Sequence, residues 1–439
     1  MFEVRNITFG GGNPAVAIPI TGKTETEIRS EAADARGEAD LIELRADAFE
    51  GIHDTMRLLA LLLDVRGAFE GPILFTLRSE REGGRLNVDP EEYLDILRIA
   101  ISSGCIDLID IELGTGITAE AEEYGISTAQ MLAEEAQSFG IHVVMSQHDF
   151  ASTPHRAAIY AAMEQMRDSG ADIAKGAYMP QAAEDVDEVL AAGLTAKEKL
   201  GIPTILISMG ELGQMTRTYG EVYGSAVTFA CLDGKASAPG QMEARELRKI
   251  LSVRHDRMRK ADTLFLIGFM GAGKTTTAKE LGRICGRRVI EMDEEIEKRQ
   301  GMSIPDIFEQ FGENYFRDIE TDLIESLAGE NGCIVSCGGG AVLRARNIVL
   351  MKSLGKIVLL TASPETVYHR LLNEAETRPV LSGRFSPEGI LHLQNARREY
   401  YEAAQDITVA TDGRAVEDIA RDIWSRLNWC NSSDRLFKA

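Results

Sequence analysis

At 439 residues the chain is too long for a single hydrophobic core and predicts two or three domains. Hydrophobic residues at 44% and charged residues at 26% describe an ordinary globular protein, and no apolar run approaches the roughly 18 residues of a membrane span. The formal net charge of -22 argues against DNA or RNA as a partner but leaves small anionic substrates open wherever arginines gather locally.

The opening Met-Phe-Glu-Val-Arg-Asn lacks a basic segment followed by an apolar one, so no secretory signal is expected. Cys105, Cys231, Cys285, Cys333, Cys337 and Cys430 lack zinc-ligand spacing and predict reduced thiols in a cytoplasmic protein. The run 3–8, ending at Gly10-Gly11-Gly12, predicts an extra hairpin over a barrel floor. Up to about residue 242, short β-branched runs then alternate with helical patterns such as 91–102 and 184–200. The strand candidates are 15–20, 41–47, 72–78, 106–113, 142–145, 172–178, 203–208 and 226–231. This repeated β-α alternation predicts an N-terminal (β/α)8 TIM barrel, with its active site at the C-terminal rim of the strands.

Polar residues collect at those strand ends: Glu43, Arg45 and Asp47, then Arg78 and Glu82, His148 and Asp149, Lys175, Arg217, Ser237 and Gln241. Singly, Glu43 and Arg45 read as a buried ion pair and His148 as a satisfied core histidine. Together they predict one reactive mouth. Lys175 sits in an otherwise apolar strand, where a lysine is costly unless paired or neutral. Burial would leave a free amine able to attack a carbonyl, and His148 suits a proton shuttle near neutral pH. A ketone held as an imine, deprotonated beside it by His148, is the chemistry these residues allow.

This half resembles type I 3-dehydroquinate dehydratase. The matching segments are Leu41-Ile42-Glu43-Leu44-Arg45-Ala46-Asp47, Phe75-Thr76-Leu77-Arg78-Ser79 with Glu82-Gly83-Gly84, and Met145-Ser146-Gln147-His148-Asp149-Phe150. Gly220-Glu221-Val222-Tyr223-Gly224-Ser225 and Ser237-Ala238-Pro239-Gly240-Gln241 complete the set. The resemblance implies that Lys175 forms the Schiff base and His148 takes the C2 proton and then protonates the departing hydroxyl. It implies Glu82 as the acidic neighbour of His148, and Glu43, Arg45 and Arg78 as holders of ring hydroxyls. Arg217 would take the carboxylate, with Ser237 and Gln241 nearby. No metal or dissociable cofactor is implied for this half.

The segment 243–250 predicts the last barrel helix, and the basic stretch 254–260 a solvated linker or helix end. The domain boundary is expected at 250–261, separating domains 1–250 and 262–430. The apolar run Leu264-Phe265-Leu266-Ile267 then leads into Gly268-Phe269-Met270-Gly271-Ala272-Gly273-Lys274-Thr275. A G-x-x-x-x-G-K-T loop between strand and helix binds nucleotide phosphate through backbone N–H groups, with Lys274 on the β- and γ-phosphates and Thr275 on Mg²⁺. Further strands at 288–291, 333–337 and 356–361 predict a P-loop α/β domain with a parallel sheet.

Residues 262 to about 427 resemble a shikimate kinase. The likeness rests on the P-loop, on Asp293 with Ile296-Glu297-Lys298-Arg299, and on Phe316-Arg317-Asp318-Ile319-Glu320. It continues in Gly338-Gly339-Gly340, Thr377-Arg378-Pro379, and Arg397 ahead of Tyr401-Glu402. It implies ATP as co-substrate, held by Gly268, Gly271, Ala272, Gly273, Lys274, Thr275, Thr276 and Arg370, with Mg²⁺ on Thr275. Asp293 would hold and activate a shikimate hydroxyl, Arg317 and Arg397 clamp the carboxylate, Gly339 and Gly340 meet the ring, and Arg378 serve as lid arginine. The family usually has Asp-x-Asp where this chain has Glu291-Met292-Asp293, and the longer acid is expected to alter metal affinity while activity survives.

Both halves together predict a bifunctional enzyme acting on small molecules, with a homodimer left open. The two reactions are separated by a reduction, and no G-x-G-x-x-G follows a strand. Two other readings stand: another Schiff-base lyase or aldolase in the barrel, and a P-loop half that regulates the barrel without catalysing.

Overall fold

Alternating short apolar runs become parallel strands in the computed structural model, which describes residues 1–330, 332–372 and 385–427. The chain divides into two compact units, Met1–His255 and Asp256–Ala439.

In the first unit, β1 (Phe2–Val4) and β2 (Ile7–Phe9) form an antiparallel hairpin. Nine parallel strands follow: β3 (Ala15–Ile20), β4 (Leu41–Arg45), β5 (Ile73–Thr76), β6 (Leu108–Glu112), β7 (His142–Asp149), β8 (Ile173–Tyr178), β9 (Thr204–Ser208), β10 (Val227–Cys231) and the short β11 (Met242–Glu243). Their spatial order is β11-β10-β3-β4-β5-β6-β7-β8-β9. The curled sheet closes where β9 meets the start of β10: Thr204 bridges Ser225, and the Ala226 N–H donates to the Thr204 carbonyl at 2.7 Å. Helices between the strands are capped from the sequence. Thr24 and Glu27 form a capping box, while Asp54 and Asp89 accept from the first-turn amides of Thr55–Ala68 and Pro90–Ser102.

Side chains alternate faces along a strand, so every second residue points into the barrel. The lower inward layer is apolar: Leu41, Leu74, Leu108, Val144, Ile173, Ile205 and Val227 share one core with Val4 and Phe9, and Phe2 and Ile7 pack against it. The hairpin therefore covers the floor, as expected. Two and four residues further along the same strands stand Glu43 and Arg45, Asp110 and Glu112, Ser146 and His148. Floor and mouth are successive layers of one period-two pattern.

The segment 243–250 is the start of a longer helix, Ala244–Arg259, which takes in almost all of the basic stretch 254–260. The second unit carries β12 (Thr263–Ile267), β13 (Val289–Glu291), β14 (Ile334–Ser336), β15 (Gly355–Thr361) and β16 (Ile407–Ala410). They form one parallel sheet in the order β13-β14-β12-β15-β16. β16 was not foreseen; its Ile-Thr-Val-Ala edge strand is only partly buried, so its hydrophobic signal is weak. Chain order reverses beside β12, which opens a crevice at the C-terminal strand ends where ligands bind in such sheets.

Candidate active site

Of the eleven strand-end residues singled out in the barrel, nine line one cavity: Glu43, Arg45, Arg78, Glu82, His148, Lys175, Arg217, Ser237 and Gln241. Asp47 instead holds Arg45 from behind, and Asp149 ties down the loop at Ala151 and Ser152. Ile207, Met209, Phe229 and Phe150 give it an apolar side. Lys175 is 3% exposed. It is paired rather than isolated: its Nζ donates to Glu43 Oε1 at 3.1 Å and Asp110 Oδ2 at 2.9 Å, 4.9 Å from the centre of the Phe229 ring. The free amine expected from burial alone is thus replaced by a buried ion pair at rest.

Arg78 holds the mouth together. Its guanidinium donates to Asp110 at 2.9 Å, Glu112 at 3.1 Å, Glu82 at 3.4 Å and the Ser146 hydroxyl at 2.9 Å. Arg45 is held by Asp47 through two bonds of 2.8 and 3.0 Å. His148 Nδ1 lies 3.0 Å from Glu82 Oε2, and the same oxygen accepts from the His148 N–H at 3.1 Å. Burial, reinforced by the positive charges of Arg78, Lys175 and Arg45, drives the His148 pKa well below its usual value. Burial and the neighbouring Glu112 push Glu82 up to about 8. At neutral pH the pair therefore holds a neutral imidazole against a protonated carboxyl.

Arg217 donates to the carbonyls of Phe229 at 3.3 Å and Pro239 at 3.0 Å, while its buried Nε has no partner. Burial lowers its pKa to about 10. It remains a cation at neutral pH, with an N–H to spare for an anion. Ser237 and Gln241 bond each other across the same rim, at 2.8 and 3.0 Å.

In the second unit the P-loop forms as the spacing predicts. Gly268, Gly271 and Gly273 have φ of 144°, 73° and 93°, and Gly273 caps the helix Lys274–Cys285. A Cβ on Gly268 would lie 2.3 Å from the Leu360 carbonyl oxygen, so only glycine fits this close approach. Lys274 Nζ donates to the carbonyls of Gly268 and Phe269 at 3.0 and 3.1 Å, arched over the loop. Thr276 donates to the Gly273 carbonyl at 3.0 Å. Arg370 donates to the Gly271 carbonyl at 3.0 Å and to Thr411 Oγ1 at 3.1 Å, which places it on the P-loop flank.

The remaining kinase residues converge on the loop after β14. Arg317 bonds Glu320 and Glu313 and packs against Gly340, where a Cβ would lie 2.4 Å from the guanidinium. Arg397 and the Tyr401 hydroxyl donate to the Gly339 carbonyl at 3.3 and 2.6 Å. Asp293, in the first turn of Met292–Gln300, brings Oδ1 to 3.0 Å from the position a Gly338 Cβ would occupy. Arg378 lies outside the described residues.

Comparison with known proteins decides what these two crevices belong to. Residues 16–258 match the sequence profile described as Type I 3-dehydroquinase, and residues 270–428 the one described as Shikimate kinase. A 3-dehydroquinate dehydratase of Klebsiella pneumoniae (strain 342) is 41% identical over 255 residues, 57% of this chain and 97% of that protein. The crystal structure of the 3-dehydroquinate dehydratase of Geobacillus kaustophilus HTA426 is 39% identical with a TM-score of 0.54, over 58% of this chain and 96% of its own. Shikimate kinase from Acinetobacter baumannii, solved in complex with shikimate, is 31% identical with a TM-score of 0.37, over 39% of this chain and 96% of its own.

The chain belongs to the type I 3-dehydroquinase family, with a shikimate kinase joined behind it. It is a bifunctional shikimate-pathway enzyme, a lyase and an ATP-using kinase in one polypeptide. Among the described residues no helix is long and apolar enough to cross a membrane.

Sequence reasoning missed several partners in both halves. In the dehydratase half, Asp110 and Glu112 read as ordinary strand residues and Ser146 is quoted only as part of a motif, although all three bind Arg78, and Asp110 also binds Lys175. Period-two counting would have found Asp110, which sits two residues inward of Leu108 as Lys175 does of Ile173. In the kinase half, Glu320 was quoted only as part of a motif, yet it is fully buried beside Arg317, and burial raises its pKa to about 7.

Proposed function

We propose that the barrel, residues 1–250, dehydrates 3-dehydroquinate to 3-dehydroshikimate, and that residues 262–430 phosphorylate shikimate to shikimate 3-phosphate. In the barrel, Lys175 Nζ, once its proton is lost, attacks the substrate ketone and expels water to give an iminium. His148, neutral because of its burial among cations, takes the proton from the adjacent C2 carbon. The electron pair moves into the iminium, leaving an enamine; collapse of that enamine expels the β-hydroxyl, which receives the proton from His148. Water then hydrolyses the iminium and frees Lys175. Glu82 holds the imidazole in line through the 3.0 Å contact. Glu43, Arg45 and Arg78 meet ring hydroxyls, Arg217 offers its spare Nε–H to the carboxylate, and Ser237 and Gln241 close the rim. This sequence needs no dissociable cofactor.

The observation that carries the reading is the convergence of a buried lysine, a neutral histidine and three arginines on one cavity. Borohydride added during turnover should trap a substrate adduct on Lys175, read by mass spectrometry, and His148→Ala should slow turnover by ~10²–10⁴-fold. Turnover without an adduct on Lys175 would defeat the mechanism.

In the kinase half, Asp293 accepts the proton of the attacking shikimate hydroxyl, Arg317 and Arg397 hold the carboxylate, and Gly339 and Gly340 approach the ring. Gly268, Gly271, Ala272, Gly273, Lys274 and Thr276 cradle the ATP phosphates, Arg370 flanks the base, and Arg378 is the lid arginine. A divalent cation fits at Thr275: the hydroxyl lies beside the Glu291 carboxylate, whose Oε1 is buried without a hydrogen-bond partner. Thr275 and Glu291 would hold a Mg²⁺ that accompanies the nucleotide, whose chemistry would be to neutralise phosphate charge. Five free cysteines among the described residues fit a cytoplasmic enzyme.

A further inference from the structure

Glu291 ends β13 in register with Ser336 of β14, which is itself in register with Leu266 of β12, two residues before the P-loop begins. That row places the Glu291 carboxylate against the hydroxyls of Thr275 and Ser336 at the mouth of the phosphate site. One of its oxygens, Oε1, is buried with no hydrogen-bond partner. A carboxylate oxygen left so in a folded protein calls for a ligand, because losing water without replacement is costly. Hard divalent cations supply that need with oxygen donors, and Mg²⁺ takes one or two carboxylates beside substrate phosphates and water. Among the described residues no group of three His, Cys, Asp or Glu could hold a metal alone, so an ion here would draw the rest of its shell from phosphate oxygens and water.

We propose that Glu291 is a direct inner-sphere ligand of the Mg²⁺ that accompanies the nucleotide. The extra methylene carries its carboxylate about 1.5 Å beyond the reach of the aspartate usual at this position, enough for its oxygen to take the place of a water on the ion. The ion is then held by Thr275, Glu291 and the phosphates, with one water fewer than an aspartate site keeps. The proposal rests on the kinase reading given above.

The test uses the full chain with ADP and Mn²⁺ as a paramagnetic stand-in. Line broadening by ¹⁷O-labelled water counts the waters on the ion in the wild type, Glu291→Asp and Glu291→Gln. Direct ligation predicts one more water in Glu291→Asp, and Mn²⁺ affinity for the ADP complex weakened about tenfold or more in Glu291→Gln. ADP affinity measured in chelator should stay within about twofold in both variants, reporting an intact P-loop. Equal water counts in wild type and Glu291→Asp would overturn direct ligation while leaving the nucleotide site standing. Failure of the wild type to bind ADP in chelator or with Mn²⁺ would overturn both readings.

Discussion

Asp110 is shared by two buried cations of the dehydratase mouth, Arg78 and Lys175. It is 1% exposed and accepts from Arg78, Lys175 and Ser146. Burial alone would raise its pKa, but Arg78 and Lys175 outweigh that and hold it below the usual value. Asp110→Asn leaves two buried cations short of an anion, and should destabilise the dehydratase unit by about 3–5 kcal/mol in denaturant unfolding. A loss below about 1 kcal/mol would show that Glu43 and Glu112 suffice. Glu82 predicts a pH effect. Its folded pKa, raised to about 8 from 4.5, means that the folded chain keeps a proton the unfolded chain has released. The stabilising contribution is full below 4.5 and is lost as pH rises through 8. Above pH ~7 an unfolded histidine is already neutral, so His148 adds little slope there. Thermal midpoints measured from pH 7 to 8 should fall in the wild type and flatten in Glu82→Gln; parallel curves would contradict the protonated Glu82.

Among the elements, the existence and order of the strands were legible and their ends were not. The eight barrel runs were read from apolar content and order, because buried parallel strands are near-continuous hydrophobic stretches. Their ends were blurred: 41–47 becomes β4 plus the 3₁₀ turn Ala46–Ala48, and His142–Asp149 extends four residues past the expected stop. Polar residues end a strand in sequence reasoning, yet here Ser146 to Asp149 keep pairing because the rim of the barrel is the site. Nine of the eleven expected barrel residues line one cavity, whereas Asp110 keeps the period of Leu108 yet reads, like Glu112, as an ordinary strand residue until its partners across the strands are known. The P-loop was the clearest element, since its glycines are dictated by backbone geometry. Gly268→Ala places a Cβ against the Leu360 carbonyl at a φ of 144°. It should destabilise the kinase unit by more than about 1 kcal/mol and weaken ADP binding in calorimetry. Unchanged ADP affinity would show that the loop can rearrange.

At the scale of the whole molecule, a chain of net charge -22 works on anionic substrates by concentrating arginines at two mouths. Arg45, Arg78 and Arg217 line one, and Arg317 and Arg397 stand beside Gly340 and Gly339 at the other. The product of the first reaction is a ketone and the substrate of the second an alcohol, so a hydride transfer that neither site performs must come between them. The two sites should therefore work independently. The most direct test assays one preparation of the full chain for both reactions, together with Lys175→Ala and Lys274→Ala. We predict that Lys175→Ala abolishes dehydration and keeps shikimate-dependent ADP release, while Lys274→Ala does the reverse. Loss of dehydration in Lys274→Ala would contradict two independent catalysts and favour a P-loop half that regulates the barrel.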